Sequence, residues 1–165
     1  IMTQYLDPLD TPTLRQLNIP EPWTFGVADR VRFYELAALN HVNNVTYLRW
    51  FETTRIRWLS DYKISFYSED DPTLVIRALT SEYLAPMFLN DAYVVTARCV
   101  SFRKTSFKKE YAVWSGGKMT AHGTAVIVMT EADGTTKRAL PADMRETVVA
   151  RDGAIDQGAG TRDPA

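Results

Sequence analysis

The sequence predicts an α+β domain in which an antiparallel sheet wraps around one long helix. Three observations predict it. Residues 45–60 contain neither proline nor glycine, and Val45, Leu48, Phe51, Trp58 and Leu59 recur near i, i+3, i+4 spacing. One strand-like run precedes this helix, and four long ones follow it in series, joined by short links. Short links favour antiparallel pairing, because a parallel crossover needs a dozen or more residues.

The elements follow in order. Residues 1–22 hold Pro8, Pro12, Pro20 and Pro22 and no stable period, so they read as an arm over the surface or a partner, with one turn of helix near Leu14–Leu17. Trp23–Tyr34 reads as the first strand, with Val27, Val31 and Phe33 alternating against Arg30 and Arg32. Asn43 or Asn44 caps the helix that runs to about Ser60. Tyr47, Trp50 and Ile56 widen its apolar surface, which implies cover on more than one side. The strands Thr73–Leu84, Ala92–Arg103, Ser106–Trp114 and Met119–Thr130 come next, and Asp133-Gly134 turns the chain. The folded domain is expected over residues 23–148. Residues 149–165 have almost no large apolar side chain and are expected to be a disordered tail.

Composition narrows the classes of function. A net charge of −1 gives no global reason to expect nucleic acid or an anionic membrane as partner. One cysteine, Cys99, excludes an intrachain disulfide, and its apolar alternating neighbours predict a buried, inert thiol. Two histidines and that cysteine make no metal cluster at the usual spacing, so neither metal nor cofactor is expected. No basic segment with an apolar run opens the chain, and nowhere do eighteen apolar residues occur together, so a cytoplasmic protein is expected.

The richest segment is Glu35–Val45. Asn40, His41, Asn43 and Asn44 cluster where the first strand gives way to the helix. A helix N-terminus holds unpaired N–H groups and the positive end of the dipole, which suits a carbonyl oxygen gaining negative charge. A turn followed by an N-cap accounts for the asparagines equally well. Elsewhere, Glu52 is placed to pair with Arg55, and His122 beside Gly123 reads as structural. Ser106 is either a ligand contact or a hairpin hydroxyl. Arg98, Arg103, Lys104, Lys108 and Lys109 surround one strand pair and could meet phosphates, although Lys108 and Lys109 must point to opposite faces.

The segment Val31–Arg55, with Asn40-His-Val-Asn-Asn44 at its centre, resembles the hotdog-fold acyl-CoA thioesterases of the 4-hydroxybenzoyl-CoA thioesterase-like branch. His41-Val-Asn-Asn44 and Tyr47 also resemble the acyl-carrier-protein thioesterases. Ser81–Pro86 with Asn90-Asp91, Thr105-Ser-Phe107, Ala121–Thr124 and Leu140-Pro141 match later landmarks in the same order. The resemblance spans Thr24 to Pro141.

That resemblance implies a curved sheet around the central helix and a homodimer whose sheets join, two of which can pair into a tetramer. It implies hydrolysis of an acyl-CoA or acyl-carrier thioester, with Asn40, His41 and Glu52 as catalytic groups. Asn43, Asn44, Val45, Tyr47, Leu48, Tyr83 and Ser106 are the expected substrate contacts. Many members carry a catalytic Asp four residues before the motif histidine. Here Ala37 stands there, and Leu39 stands where the carrier-protein branch has Asn. The alternative is therefore a hotdog protein that binds acyl thioesters, or acts as a scaffold, without hydrolysis.

Overall fold

The computed structural model describes residues 4–158. Its sheet runs in the order β1-β2-β4-β5-β6-β3, antiparallel throughout this path: β1 is Pro8–Leu9, β2 Gly26–Arg30, β3 Thr73–Tyr83, β4 Ala92–Phe102, β5 Ser106–Ser115 and β6 Lys118–Thr130. A short strand β7, Ile155–Asp156, pairs with β4 in parallel. The central helix α2 spans Asn44–Asp61, while α1 is Thr11–Gln16 and α3 is Ala142–Asp152.

α2 starts where Asn43 caps it, the side chain accepting the Val45 N–H at 3.0 Å. Its buried stripe is Thr46, Tyr47, Trp50, Phe51, Thr54, Arg55, Trp58 and Leu59. The stripe crosses the sheet from β4 to the β3 edge. Trp50 stacks on Tyr93 of β4 at 4.0 Å, Phe51 stacks on Tyr111 of β5 at 4.9 Å, and Tyr47 meets Tyr83 of β3 edge-on at 5.1 Å. Val45 and Ile56, expected among the apolar contacts, are exposed. Arg55 enters the core instead because Tyr111 accepts its guanidinium at 3.0 Å.

β4, β5 and β6 form a meander, and β3 crosses to the outside of β6 as an edge strand. Gly123 of β6 explains how closely helix and sheet approach. A Cβ there would lie 2.5 Å from Phe51 Cε2 and 2.7 Å from the Thr80 carbonyl oxygen. A Gly123→Ala variant is expected to lose about 1–3 kcal/mol, the usual cost of overpacking. Its melting temperature then falls by roughly 2–4 °C for each kcal/mol. A melt coincident with the parent's would show that Phe51 yields freely.

The first strand is shorter than expected. Glu35 accepts the Arg32 N–H at 2.8 Å, and Phe33–Glu35 coils as a 3-10 turn that leaves the sheet. The arm docks on its own sheet. Pro12 opens α1 rather than breaking it, with Asp10 accepting the Thr13 N–H at 2.9 Å. Leu14 and Ile19 then bury against Trp23, Ala28, Val94, Ala112 and Trp114 on the face away from α2.

The expected disordered tail is corrected over residues 149–158, while residues 159–165 lie outside those described. α3 runs across the expected boundary at 148 and ends in a left-handed cap at Gly153. Met144 and Val148 bury its apolar face in the core, and polar anchors, which an apolar count overlooks, hold its C-terminal end. Asp152 accepts the Tyr62 hydroxyl and, at 2.8 Å, the Cys99 N–H. Arg151 pairs with Asp61 at 3.0 Å and lies 3.7 Å over the Tyr62 ring. Cys99 is fully buried, and burial pushes its thiol up to about 12.

Candidate active site

Val42 fixes the polar cluster in space. Its N–H donates to Met87 at 2.8 Å, tying the segment to the loop after β3. Residues 37–41 form a reverse turn in which the Ala37 N–H donates to the His41 carbonyl at 2.7 Å and the Asn40 N–H to Ala37 at 3.0 Å. Asn40 sits in the left-handed region, φ 64, at the exposed tip of that turn. Asparagine tolerates this conformation better than most residues.

Between this turn, the first turn of α2 and the end of β3 lies a cavity of about 490 Å³. Ala37, His41, Asn43, Asn44, Tyr47 and Tyr83 line it, with Val42, Leu84, Ala85 and Pro86. His41 Nδ1 lies 3.2 Å from the Val42 carbonyl oxygen. A carbonyl only accepts, so this contact assigns the proton to Nδ1 and leaves Nε2 as an acceptor.

The N–H groups at the helix start are mostly committed. Asn43 N–H donates to Glu35 at 2.9 Å, and Thr46 N–H to Asn43 at 3.0 Å. Val45 N–H is held by the Asn43 side chain. Among the described residues no acceptor takes the Asn44 N–H, so it is the donor this helix terminus offers to a ligand. The Tyr83 hydroxyl donates to the Asn44 carbonyl at 3.0 Å and steadies the same turn. Burial, helped by Tyr83 and Asp91, pushes the Tyr47 phenol up to about 12, so it stays a protonated donor at neutral pH.

Of the residues singled out from sequence, His41, Asn43, Asn44, Tyr47 and Tyr83 come together here. Asn40, Val45 and Leu48 lie next to the lining residues without joining them. Glu52 is eight residues along α2, about 12 Å from its start, and its side chain is 68% exposed at 4.0 Å from Arg55. Ser106 pairs with Val128 and Tyr83 with Ala121, which separates their ends of the sheet by about 23 Å within one chain. Leu84, Ala85 and Pro86 were visible in the sequence as a landmark but not as cavity wall.

Glu35 offers no replacement carboxylate. It is buried on the opposite flank of α2, where Arg32 N–H and Trp50 Nε1, at 2.8 and 2.7 Å, occupy its two oxygens. The basic stretch is no single patch either. Arg98 pairs with Glu110 at 2.8 Å, which also bonds His122 at 3.0 Å, whereas Lys109 is wholly buried. Among the described residues no group of three or more His, Cys, Asp or Glu is placed to hold a metal ion.

Comparison with known proteins places this geometry in a family. The model of the thioesterase-like superfamily matches residues 31–149, and the chain belongs to that family. A crystal structure of a thioesterase-superfamily protein from a Jannaschia species is 42% identical, covering 93% of this chain and 98% of that one, with a TM-score of 0.89. A thioesterase from Thermus thermophilus, solved with coenzyme A and zinc, is 31% identical over 81% of this chain and 98% of that one, TM-score 0.71. A 1,4-dihydroxy-2-naphthoyl-CoA thioesterase from Synechocystis shares the fold at 17% identity and a TM-score of 0.69, over 78% of this chain and 97% of that one. No curated protein matches the chain. The fold is the hotdog fold, as the sequence resemblance implied.

Proposed function

We propose that this protein hydrolyses an acyl-CoA or acyl-carrier-protein thioester in the cavity at the start of α2. The observation that carries this reading is the meeting of the Asn44 N–H, His41 Nε2 and an apolar, tyrosine-lined wall in that one cavity. The thioester carbonyl accepts the Asn44 N–H. Water held by His41 Nε2 adds to the carbonyl carbon, its proton passing toward the imidazole. The C–S bond then breaks, and the thiolate leaves with that proton. The T. thermophilus relative, solved with coenzyme A, supports a CoA-linked substrate.

Ala37 favours a second reading, an acyl-thioester-binding protein without turnover, because no carboxylate among the described residues lines the cavity. A panel of aliphatic and aromatic acyl-CoAs separates the two. Turnover above background supports hydrolysis, whereas saturable binding by calorimetry with no released thiol supports the binder. If hydrolysis holds, His41→Ala lowers kcat at least tenfold, toward the roughly 10²–10⁴-fold of positioned acid–base groups, with an unchanged melting temperature. Full activity in that variant would remove His41 from the reaction. Glu52→Gln is expected to leave the rate intact unless a second copy brings Glu52 to the cavity.

The reading includes a cytoplasmic homodimer joined along β3. That edge strand and the adjacent face expose Leu79, Tyr83, Leu84, Phe88 and Leu89. Unpaired edges are ready templates for another strand, and closed two-fold pairing consumes both copies' edges. Light scattering that finds a monomer at micromolar concentration would refute the dimer. Among the described residues no helix is long and apolar enough to cross a membrane.

A further inference from the structure

The arm that precedes β2 builds another cavity, on the face of the sheet turned away from α2. It measures about 450 Å³ and lies over the ends of β2, β4 and β5. Its floor follows from register. Ala28 pairs with Val94 and Val94 with Trp114, while Arg30 pairs with Ala92 one row further on. Side chains alternate along a strand, so these five project to the face that the arm covers. Ala92 and the Gly116-Gly117 turn are small, which leaves the floor low beside Arg30. A Cβ on Gly117 would stand 3.4 Å from Asn18 Nδ2, so this turn and the end of α1 close one side. The other walls are firmly built. The Leu6 N–H donates to the Ala28 carbonyl at 3.0 Å and sets Tyr5 beside β2. After α1 the Ile19 N–H donates to Leu14 at 3.0 Å, and Arg15 Nη1 donates to the Ile19 carbonyl at 2.8 Å. Tyr5, Ile19 and Arg30 all lie outside the 31–149 stretch matched to the family.

This cavity offers a ligand apolar walls and one cation. Ile19 and Trp114 are buried, whereas Leu17 and Tyr5 stand 44% and 45% exposed at the rim. Arg30 is exposed, and among the described residues its guanidinium makes one hydrogen bond, from Nε to the Tyr5 hydroxyl at 3.3 Å. The carboxylate beside it is already committed, since Asp29 accepts the Arg30 N–H at 2.8 Å and pairs with Arg32 at 2.9 Å. Arg30 therefore keeps both terminal nitrogens for a ligand, and a guanidinium edge matches a carboxylate as a two-pronged donor. Arg30 and Trp114 stand on strands two apart, about 10 Å across the sheet. A ligand that bridges them carries its charge at one end and an apolar body at the other. One cation between apolar walls suits a single negative charge rather than the dianion of a phosphate.

We propose that this cavity binds an organic monocarboxylate with a compact apolar body. The carboxylate pairs with Arg30, and the body lies over Ala92 and Val94 against Trp114 and Leu17. The sheet separates this site from the cavity at the start of α2. The inference therefore goes beyond the thioester reading and survives its failure.

Calorimetry on the full chain tests it, with naphthoate as the probe, titrated to about 5 mM so that millimolar affinity is captured. One saturable site per chain is expected. Arg30→Gln weakens binding at least about tenfold, the scale of a lost charge-assisted pair. Ala92→Leu fills the floor from an exposed position at the start of β4 and weakens binding to a similar degree. Melts that coincide with the parent's show that both variants are folded. Naphthylmethanol, which has the body without the charge, and inorganic phosphate, which has the charge without the body, each bind more weakly than naphthoate by about the same factor. Absence of saturable binding overturns the inference. A site that keeps its affinity in both Arg30→Gln and Ala92→Leu also overturns it, because the acid then sits elsewhere. Phosphate or naphthylmethanol binding as tightly as naphthoate overturns it too, since one removes the apolar walls from recognition and the other removes the carboxylate.

Discussion

An Ala37→Asp variant is expected, on the proposed thioesterase reading, to hydrolyse acyl-CoA at least tenfold faster than the parent chain, approaching the 10²–10⁴-fold attributed to positioned acid–base groups. Ala37 lines the cavity with His41, and its backbone is bonded on both sides of the turn: N–H to His41, carbonyl to Asn40. A carboxylate there is therefore carried on a fixed frame rather than a mobile loop. On the proposed reading it activates water directly, a task otherwise left to His41 Nε2 because no carboxylate lines the cavity among the described residues. Burial in an apolar wall raises a carboxyl pKa and can keep it protonated, so the rate is followed from pH 6 to 9. The gain is expected to grow with pH as the new group ionises. An unchanged rate across that range, in a variant that melts like the parent, would show that position 37 does not face the scissile bond.

The absent carboxylate was legible in the sequence because a residue's identity is local. Which N–H remains unpaired was not legible. Three consecutive amides at 43–45 look alike in sequence, and the Glu35 carbonyl and the Asn43 side chain consume two of them through contacts only the fold creates. The helix and the four strands after it were read nearly to their ends because period and breakers are local too. The position of β3 was not, since Leu79 and Tyr83 carry no mark that they lie on an edge rather than inside a sheet. Ser106 illustrates the same limit: motif order along the chain does not say which end of a strand a residue occupies. α3 was missed because its apolar face is narrow, Met144 and Val148, and Arg151 and Asp152 complete its docking through contacts only the fold creates.

Lys109 marks the other large expected effect, on stability. Its side chain is completely buried beneath α2, with Nζ 3.1 Å from the centre of the Trp58 ring and no hydrogen-bond partner among the described residues. The nearby Asp152 carboxylate already accepts from Tyr62 and Cys99. Burial holds the amine well below the usual lysine range, an effect that outweighs the attraction of Asp152. Between the folded and unfolded pKa values, the unfolded chain binds a proton that the folded chain does not. Unfolding free energy therefore rises with pH across that window, by up to about 1.4 kcal/mol per pH unit, and levels off above the unfolded lysine value near 10.4. At neutral pH the group costs stability. Lys109→Met fills similar space, places a thioether against Trp58 and removes the cost, by about 1–4 kcal/mol if it behaves as buried charged groups replaced by apolar ones do. Denaturant melts from pH 6 to 10 should show the variant more stable at the low end, with the two curves converging as pH rises. A variant less stable than the parent at pH 7 would mean that the amine over the Trp58 ring contributes more than its desolvation costs, and that Lys109 folds as a cation.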